Sequence, residues 1–165
     1  MKNENISPIM LGTWAFAKDQ SWGPQDDALS IKTVHAALDA GLNAFDSAPA
    51  YGDGESERVL GKALKGRREE AYLATKVSRQ DLPAEDLVAS CEASLKRLHT
   101  DWIDLLQVHW PSHDIPPAES IEALEKLKSS GKIRAYGACN FGPRDLQAWL
   151  DAGARIGLFA VPTEG

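Results

Sequence analysis

The stretch Ile103-Asp-Leu-Leu-Gln-Val-His109 decides the fold. It is short and rich in apolar residues, as expected of a strand buried on both faces in a parallel sheet. Leu42–Asp46, Ala71–Lys76 and Ile133–Cys139 repeat the pattern, and Ile156–Val161 is a candidate sixth strand. Helical spacing fills the gaps between them. Ala28, Ile31, Val34 and Leu38 share one face before Gly41, a stop residue. Glu55 to Leu64 aligns Val59, Leu60, Ala63 and Leu64, while Leu87, Cys91, Leu95 and Leu98 recur after Pro83. Ile121, Leu124 and Leu127 precede Gly131, and Leu146, Trp149 and Leu150 follow Pro143. A strand–helix pair recurs about every 30 residues, so each helix crosses over to the next parallel strand. A doubly wound open sheet and a (β/α) barrel both fit this pattern.

The chain has 165 residues, enough for one domain, and no linker or composition shift divides residues 1–165. It is 43% hydrophobic and 25% charged, an ordinary globular balance that argues against a disordered or fibrous chain. A net charge of −6 gives no basic footprint for nucleic acid. No apolar stretch approaches the roughly 20 residues of a membrane span, and the polar start has no signal-peptide core. Cys91 and Cys139 lack metal or disulfide spacing and read as small apolar residues. The expected setting is cytoplasmic.

Both architectures put chemistry at the carboxyl ends of strands, and here those ends carry titratable or polar groups. The first run ends in Asp46 with Tyr51 in the next loop; the others end in Lys76, in His109 and in Cys139-Asn140. Any one of these alone reads as a capping or solvated side chain. Together, at equivalent ends, they read as one site. A free phenol is a slow proton donor at neutral pH, and a neighbouring ammonium favours the phenolate. Asp46 would hold Lys76 charged and oriented, and a neutral His109 would donate to a substrate carbonyl oxygen beside Tyr51. The set suits adding a hydride and a proton to a carbonyl. No side chain supplies hydride, so a nicotinamide cofactor is implied.

The chain resembles the aldo-keto reductase family over about residues 9–155. Gly12-Thr13-Trp14 is similar to the family's first-strand motif. Asp46-Ser-Ala-Pro-Ala-Tyr51-Gly-Asp-Gly-Glu-Ser-Glu57 matches its D-x-A-x-x-Y-G-x-x-x-x-E pattern. Ala74-Thr75-Lys76, Ser94-Leu-Lys-Arg-Leu98, Asp101 to His109 and Gly131-Lys-Ile-Arg-Ala-Tyr-Gly-Ala-Cys-Asn-Phe141 continue it in order. The resemblance implies a (β/α)8 TIM barrel without a Rossmann motif. It also implies a catalytic tetrad of Asp46, Tyr51, Lys76 and His109. NADPH, or less often NADH, would contact Gly12, Thr13, Trp14, Asp46, Cys139 and Asn140. An aldehyde or ketone would meet Trp14, Tyr51, His109 and Trp110.

Two departures stand out. Cys139 replaces the family's Ser beside Asn140, and a thiol is a weak hydrogen-bonding group. Ala160 stands where the family carries a Gln, and Thr163-Glu164-Gly165 follows. A barrel needs about 250 residues, so the expectation is an incomplete barrel of about five to six units, the N-terminal portion of a truncated member. Unclosed strand edges invite self-association or pairing with another barrel half. A non-catalytic fragment and a Lys76 Schiff-base aldolase are the alternative readings. Gly52-Asp-Gly-Glu-Ser-Glu57 fails the dinucleotide fingerprint and reads as a tight turn opening a helix. His109-x-x-x-His113 contains Pro111 and does not read as a metal pair.

Overall fold

The strands and helices alternate through the described residues. The computed structural model describes residues 6–156 and 159–160. Strands β1 (Met10–Gly12), β2 (Ala44–Asp46), β3 (Tyr72–Val77), β4 (Ile103–Val108), β5 (Ile133–Cys139) and β6 (Phe159–Ala160) alternate with α1 (Asp27–Asp39), α2 (Glu55–Ala63), α3 (Ala84–Leu98), α4 (Pro117–Ser129) and α5 (Pro143–Asp151). Every residue of β4 is buried, which explains why its sequence does not alternate. By contacts the chain divides into two units, one holding Met1–Thr75 with Ser94–Asp101 and the other Lys76–Ala93 with Trp102–Gly165.

In the first unit β1, β2 and β3 pair in parallel, with Gly12 opposite Asp46 and Asp46 opposite Ala74. The carboxyl ends of these strands therefore share one edge. β2 starts at Ala44 rather than Leu42, because the Leu42 N–H turns back to the Ala37 carbonyl, 2.9 Å away, and closes α1 at Gly41. β3 starts at Tyr72 because the Ala71 N–H is taken by the Arg68 carbonyl in a tight turn. The buried face of α1 is Ser30, Val34 and Leu38, with Ala28 exposed and Ile31 half-buried. The core stripe runs through every fourth residue from Ser30, which rotates the expected face. Asp26 caps this helix by accepting from the Ala28 N–H at 2.8 Å.

In the second unit β4, β5 and β6 are parallel, with Val108 opposite Ala138 and Cys139 opposite Ala160. β5 spans the residues read from the sequence. β6 falls within the expected sixth run; its neighbours 157, 158 and 161, and the final Thr163-Glu164-Gly165, lie outside the described residues. Fully buried Tyr136 donates its hydroxyl proton to Glu125 at 2.7 Å and accepts from the Arg155 N–H at 2.8 Å. Burial pushes this phenol above its ordinary range. α5 buries Trp149 but leaves Leu150 43% exposed, so the expected three-residue face is narrower.

Lys18 ties the start of α1 to the start of α2. Its ammonium lies 2.5 Å from Asp27 Oδ1 and 2.9 Å from Glu55 Oε1. These contacts hold both carboxyls below their ordinary values of 3.8 and 4.5. A lowered folded value stabilises above the unfolded value and loses that contribution as pH falls through the folded one. Lys18→Met should therefore be less stable than wild type above pH 4.5, with the gap closing below pH 3.8; chemical denaturation across pH 2.5 to 7 checks it, over roughly the span in which carboxylates protonate.

Gly61 lies inside α2, where Ala normally gains up to about 1 kcal/mol. Here a Cβ would stand 2.7 Å from the Arg97 carbonyl oxygen and from the Leu98 carbonyl carbon. Overpacking against backbone outweighs helix propensity, so Gly61→Ala should cost about 1–3 kcal/mol in urea unfolding.

Candidate functional site

The carboxyl-end loops of the first unit are built on buried hydroxyls. Thr13 donates twice to the Asp46 carbonyl, from its N–H at 2.9 Å and from Oγ1 at 3.0 Å. Ser56 Oγ donates to the Thr13 carbonyl at 2.7 Å and lies 3.0 Å from Ser47 Oγ. Thr13, Ser47 and Ser56 have no exposed surface, so this small network fixes the backbone at the end of β2. The half-buried Asp46 is thus carried on a rigid base.

Tyr51 stands in the loop after β2, where the sequence turns sharply through two glycines. Gly52 has φ +63°, and a Cβ there would sit 2.3 Å from the Ala17 carbonyl oxygen; only glycine admits that approach. Gly54, at φ 79°, forms the N-terminal cap of α2, so this segment is the helix-opening turn that was expected. Across the loop the Trp14 indole stacks on the Tyr51 ring, with centroids 5.8 Å apart and planes 21° from parallel.

In the first turn of α2, Glu57 is fully buried. Thr75 Oγ1 and Arg97 Nε each donate to one of its oxygens at 2.6 Å. Glu57 therefore braces Thr75, the residue before Lys76. Sequence reasoning named Glu57 only as the closing residue of the family pattern, with no role, and did not name the Ser47–Ser56 pair, although all three lie inside the Asp46–Glu57 run. Polar residues recurring within that run were the available signal.

In the second unit Lys76 is 3% exposed near the end of β3. His109 follows β4 directly, and its N–H donates to the Val77 carbonyl at 2.9 Å. Its ring lies 6.5 Å from that of Trp110, which is 48% exposed. Asn140 takes a left-handed conformation at φ 57° and donates its amide to the His109 carbonyl at 2.8 Å and to Cys139 Sγ at 3.3 Å. Its Oδ1 takes no hydrogen bond among the described residues. His113 pairs with Asp145 at 2.9 Å, away from His109's backbone contacts. Cys91 is buried, as read, whereas Cys139 is half-buried. The first unit thus brings Thr13, Trp14, Asp46 and Tyr51 together, and the second does so for His109, Trp110, Cys139 and Asn140. No described helix is long and apolar enough to cross a membrane.

The Aldo/keto reductase family model matches residues 8–162. The chain belongs to the aldo/keto reductase family. It is 46% identical over 145 residues to aldo-keto reductase YhdN of Bacillus subtilis, covering 82% of this chain and 44% of that protein. It is 38% identical over 143 residues to methylglyoxal reductase YeaE of Escherichia coli, covering 87% and 49%. Among solved structures, the thermostable aldo-keto reductase Tm1743 aligns over 97% of this chain and 59% of its own, at 34% identity and a TM-score of 0.87. A Klebsiella pneumoniae aldo/keto reductase in complex with NADP and acetate aligns over 92% and 50%, at 35% identity and a TM-score of 0.81. The fold class is accordingly α/β, part of a parallel barrel of the aldo-keto reductase type. The chain spans about half the length of the curated relatives it matches.

Removing Arg97 would leave the Glu57 carboxylate buried with one neutral donor. Arg97→Met should cost about 3–5 kcal/mol. Arg58→Met, at an exposed pair with Glu55, should cost less than about 1 kcal/mol. Urea midpoints of the two variants test the contrast.

Proposed function

We propose that this chain carries the carbonyl-binding and proton-transfer residues of an NAD(P)H-dependent oxidoreductase that reduces aldehydes or ketones to alcohols. One observation carries the reading. Asp46 ends β2, Lys76 is next to last in β3, and His109 and Asn140 directly follow β4 and β5. The family membership and the NADP-bound relative support it.

The residues divide the work. Tyr51 donates the proton to the carbonyl oxygen as that oxygen gains negative charge. Lys76, buried at 3% exposure, and Asp46 complete the proton-transfer set as its cation and its carboxylate. His109 donates a hydrogen bond to the same carbonyl oxygen and sets its direction. Trp14 and Trp110, both nearly half exposed, offer apolar walls to the rest of the substrate. Asn140 fits a nicotinamide carboxamide because its Oδ1 remains open to an amide N–H while its own amide is anchored on His109. Cys139, Gly12, Thr13, Trp14 and Asp46 complete the residues we assign to cofactor contact. When bound, the reduced nicotinamide supplies the hydride. The setting we infer is cytoplasmic, where the thiols of Cys91 and Cys139 stay reduced.

Tyr51→Phe should lower NADPH-dependent aldehyde reduction by about 10²–10⁴-fold while NADPH still quenches tryptophan fluorescence. Turnover unchanged in Tyr51→Phe, or a wild-type chain that neither binds nor oxidises NADPH, overturns the reading.

A further inference from the structure

The loop between β1 and α1 is organised by one carboxylate that the roles above do not use. Asp19 Oδ2 accepts the Trp14 indole Nε1–H at 2.9 Å. Its other oxygen accepts the backbone N–H of Ser21 at 2.9 Å and of Trp22 at 3.2 Å, and its carbonyl accepts the Gly23 N–H at 2.8 Å. Asp19 is therefore the origin of a tight turn and the anchor of an indole at once. The two indoles it fixes meet edge-on, with centroids 5.9 Å apart and planes at 77°. Trp14 in turn stacks on Tyr51.

The neighbouring chain keeps this arrangement in register. Lys18, left-handed at φ 55°, is tied to Asp27 and Glu55. The Ala17 carbonyl rests against Gly52, the residue after Tyr51. Thr13, before Trp14, is bonded to Asp46. The backbone on both sides of Trp14 is thus fixed. What remains free is the rotation of the indole, and its single polar atom is spent on Asp19. Trp14 is 45% exposed, so side-chain packing alone does not lock it.

We propose that Asp19 is a positioning residue for Tyr51, acting through Trp14. By holding the indole parallel to the phenol it limits the ring to one orientation and sets the wall that a carbonyl substrate meets. The proposal rests on the reading of Tyr51 as proton donor. Asparagine at this position separates the two duties of the carboxylate. An amide has one acceptor oxygen, so it can keep the turn at Ser21 and Trp22 or the indole bond, not both.

The test joins nuclear magnetic resonance of labelled tyrosine rings with kinetics on the full chain. Tyr51 signals are assigned by their loss in Tyr51→Phe. In Asp19→Asn they should shift in the direction that Trp14→Ala shifts them, with Tyr72 and Tyr136 unmoved. Turnover should fall by up to about 10²-fold, the scale of a small misplacement of a reacting group. In a Trp14→Phe background, which lacks the indole N–H, Asp19→Asn should add little. Tyr51 signals unmoved in Asp19→Asn overturn the proposal, as does an equal further loss in the Trp14→Phe background. Tyr51→Phe with wild-type turnover overturns the parent reading and the positioning role with it. Loss of turnover in Tyr51→Phe alone, with Asp19→Asn unaffected, sinks the Asp19 role and leaves the parent reading standing.

Discussion

A fully buried carboxylate sets the terms for the first unit. Glu57 has no exposed surface, and a bare charge in such a place costs several kcal/mol unless donors meet it. Arg97 and Thr75 supply those donors. The arginine must come close to α2 to do so, and the sequence of the helix records that approach. A side chain at Gly54 would meet the Arg97 guanidinium stem at 2.4 Å, and one at Gly61 would meet its backbone at 2.7 Å. Gly61, which weakens the helix by propensity, is thus required by the approach of Arg97, while Gly54 caps α2 at a φ of 79° that favours glycine in any case. The cost in helix stability at Gly61 is about 1 kcal/mol, less than the cost of an unmatched charge.

The same economy governs the residues at the strand ends. Side chains at these positions are aimed by fixing the peptide beneath them. Thr13 donates twice to the Asp46 carbonyl, and Asn140 donates to the His109 carbonyl. A strand end has carbonyls that no further strand residue satisfies, so a polar side chain from a neighbouring strand end is the natural partner. Asn140 also accepts a left-handed backbone, which most side chains resist and asparagine tolerates. That combination explains why an amide, rather than a serine or threonine, sits there.

Much of this is legible in the sequence. Buried parallel strands lose their alternation, so β4 and β5 stand out as short apolar runs, and the residues closing them fall where the polarity changes. What was not legible depends on pairs far apart in sequence. Ser56 meets Thr13 from 43 positions away, and Glu57 meets Arg97 from 40. Local pattern reports burial and period, not the identity of a distant partner. The start of β2 was misread for a related reason. Leu42 is apolar enough for a strand, yet its N–H is needed to close α1. The role of Asp19 is not legible in the sequence either, because an Asx turn does not announce which indole it will also hold.

Cys139 shows how a single departure redistributes a task. The family pattern has a hydroxyl here, able to donate and accept strongly; a thiol does both weakly. The Asn140 amide still reaches the sulfur at 3.3 Å, but its better bond, at 2.8 Å, goes to the His109 carbonyl. The thiol therefore contributes little to holding Asn140 in place, and the backbone of His109 holds it instead. On the proposed reading, the open Oδ1 of Asn140 then carries most of the grip on a carboxamide that two polar side chains would otherwise share. The consequence is directional: replacing Cys139 with serine adds a donor beside an amide already fixed, so it strengthens the grip without rebuilding the loop.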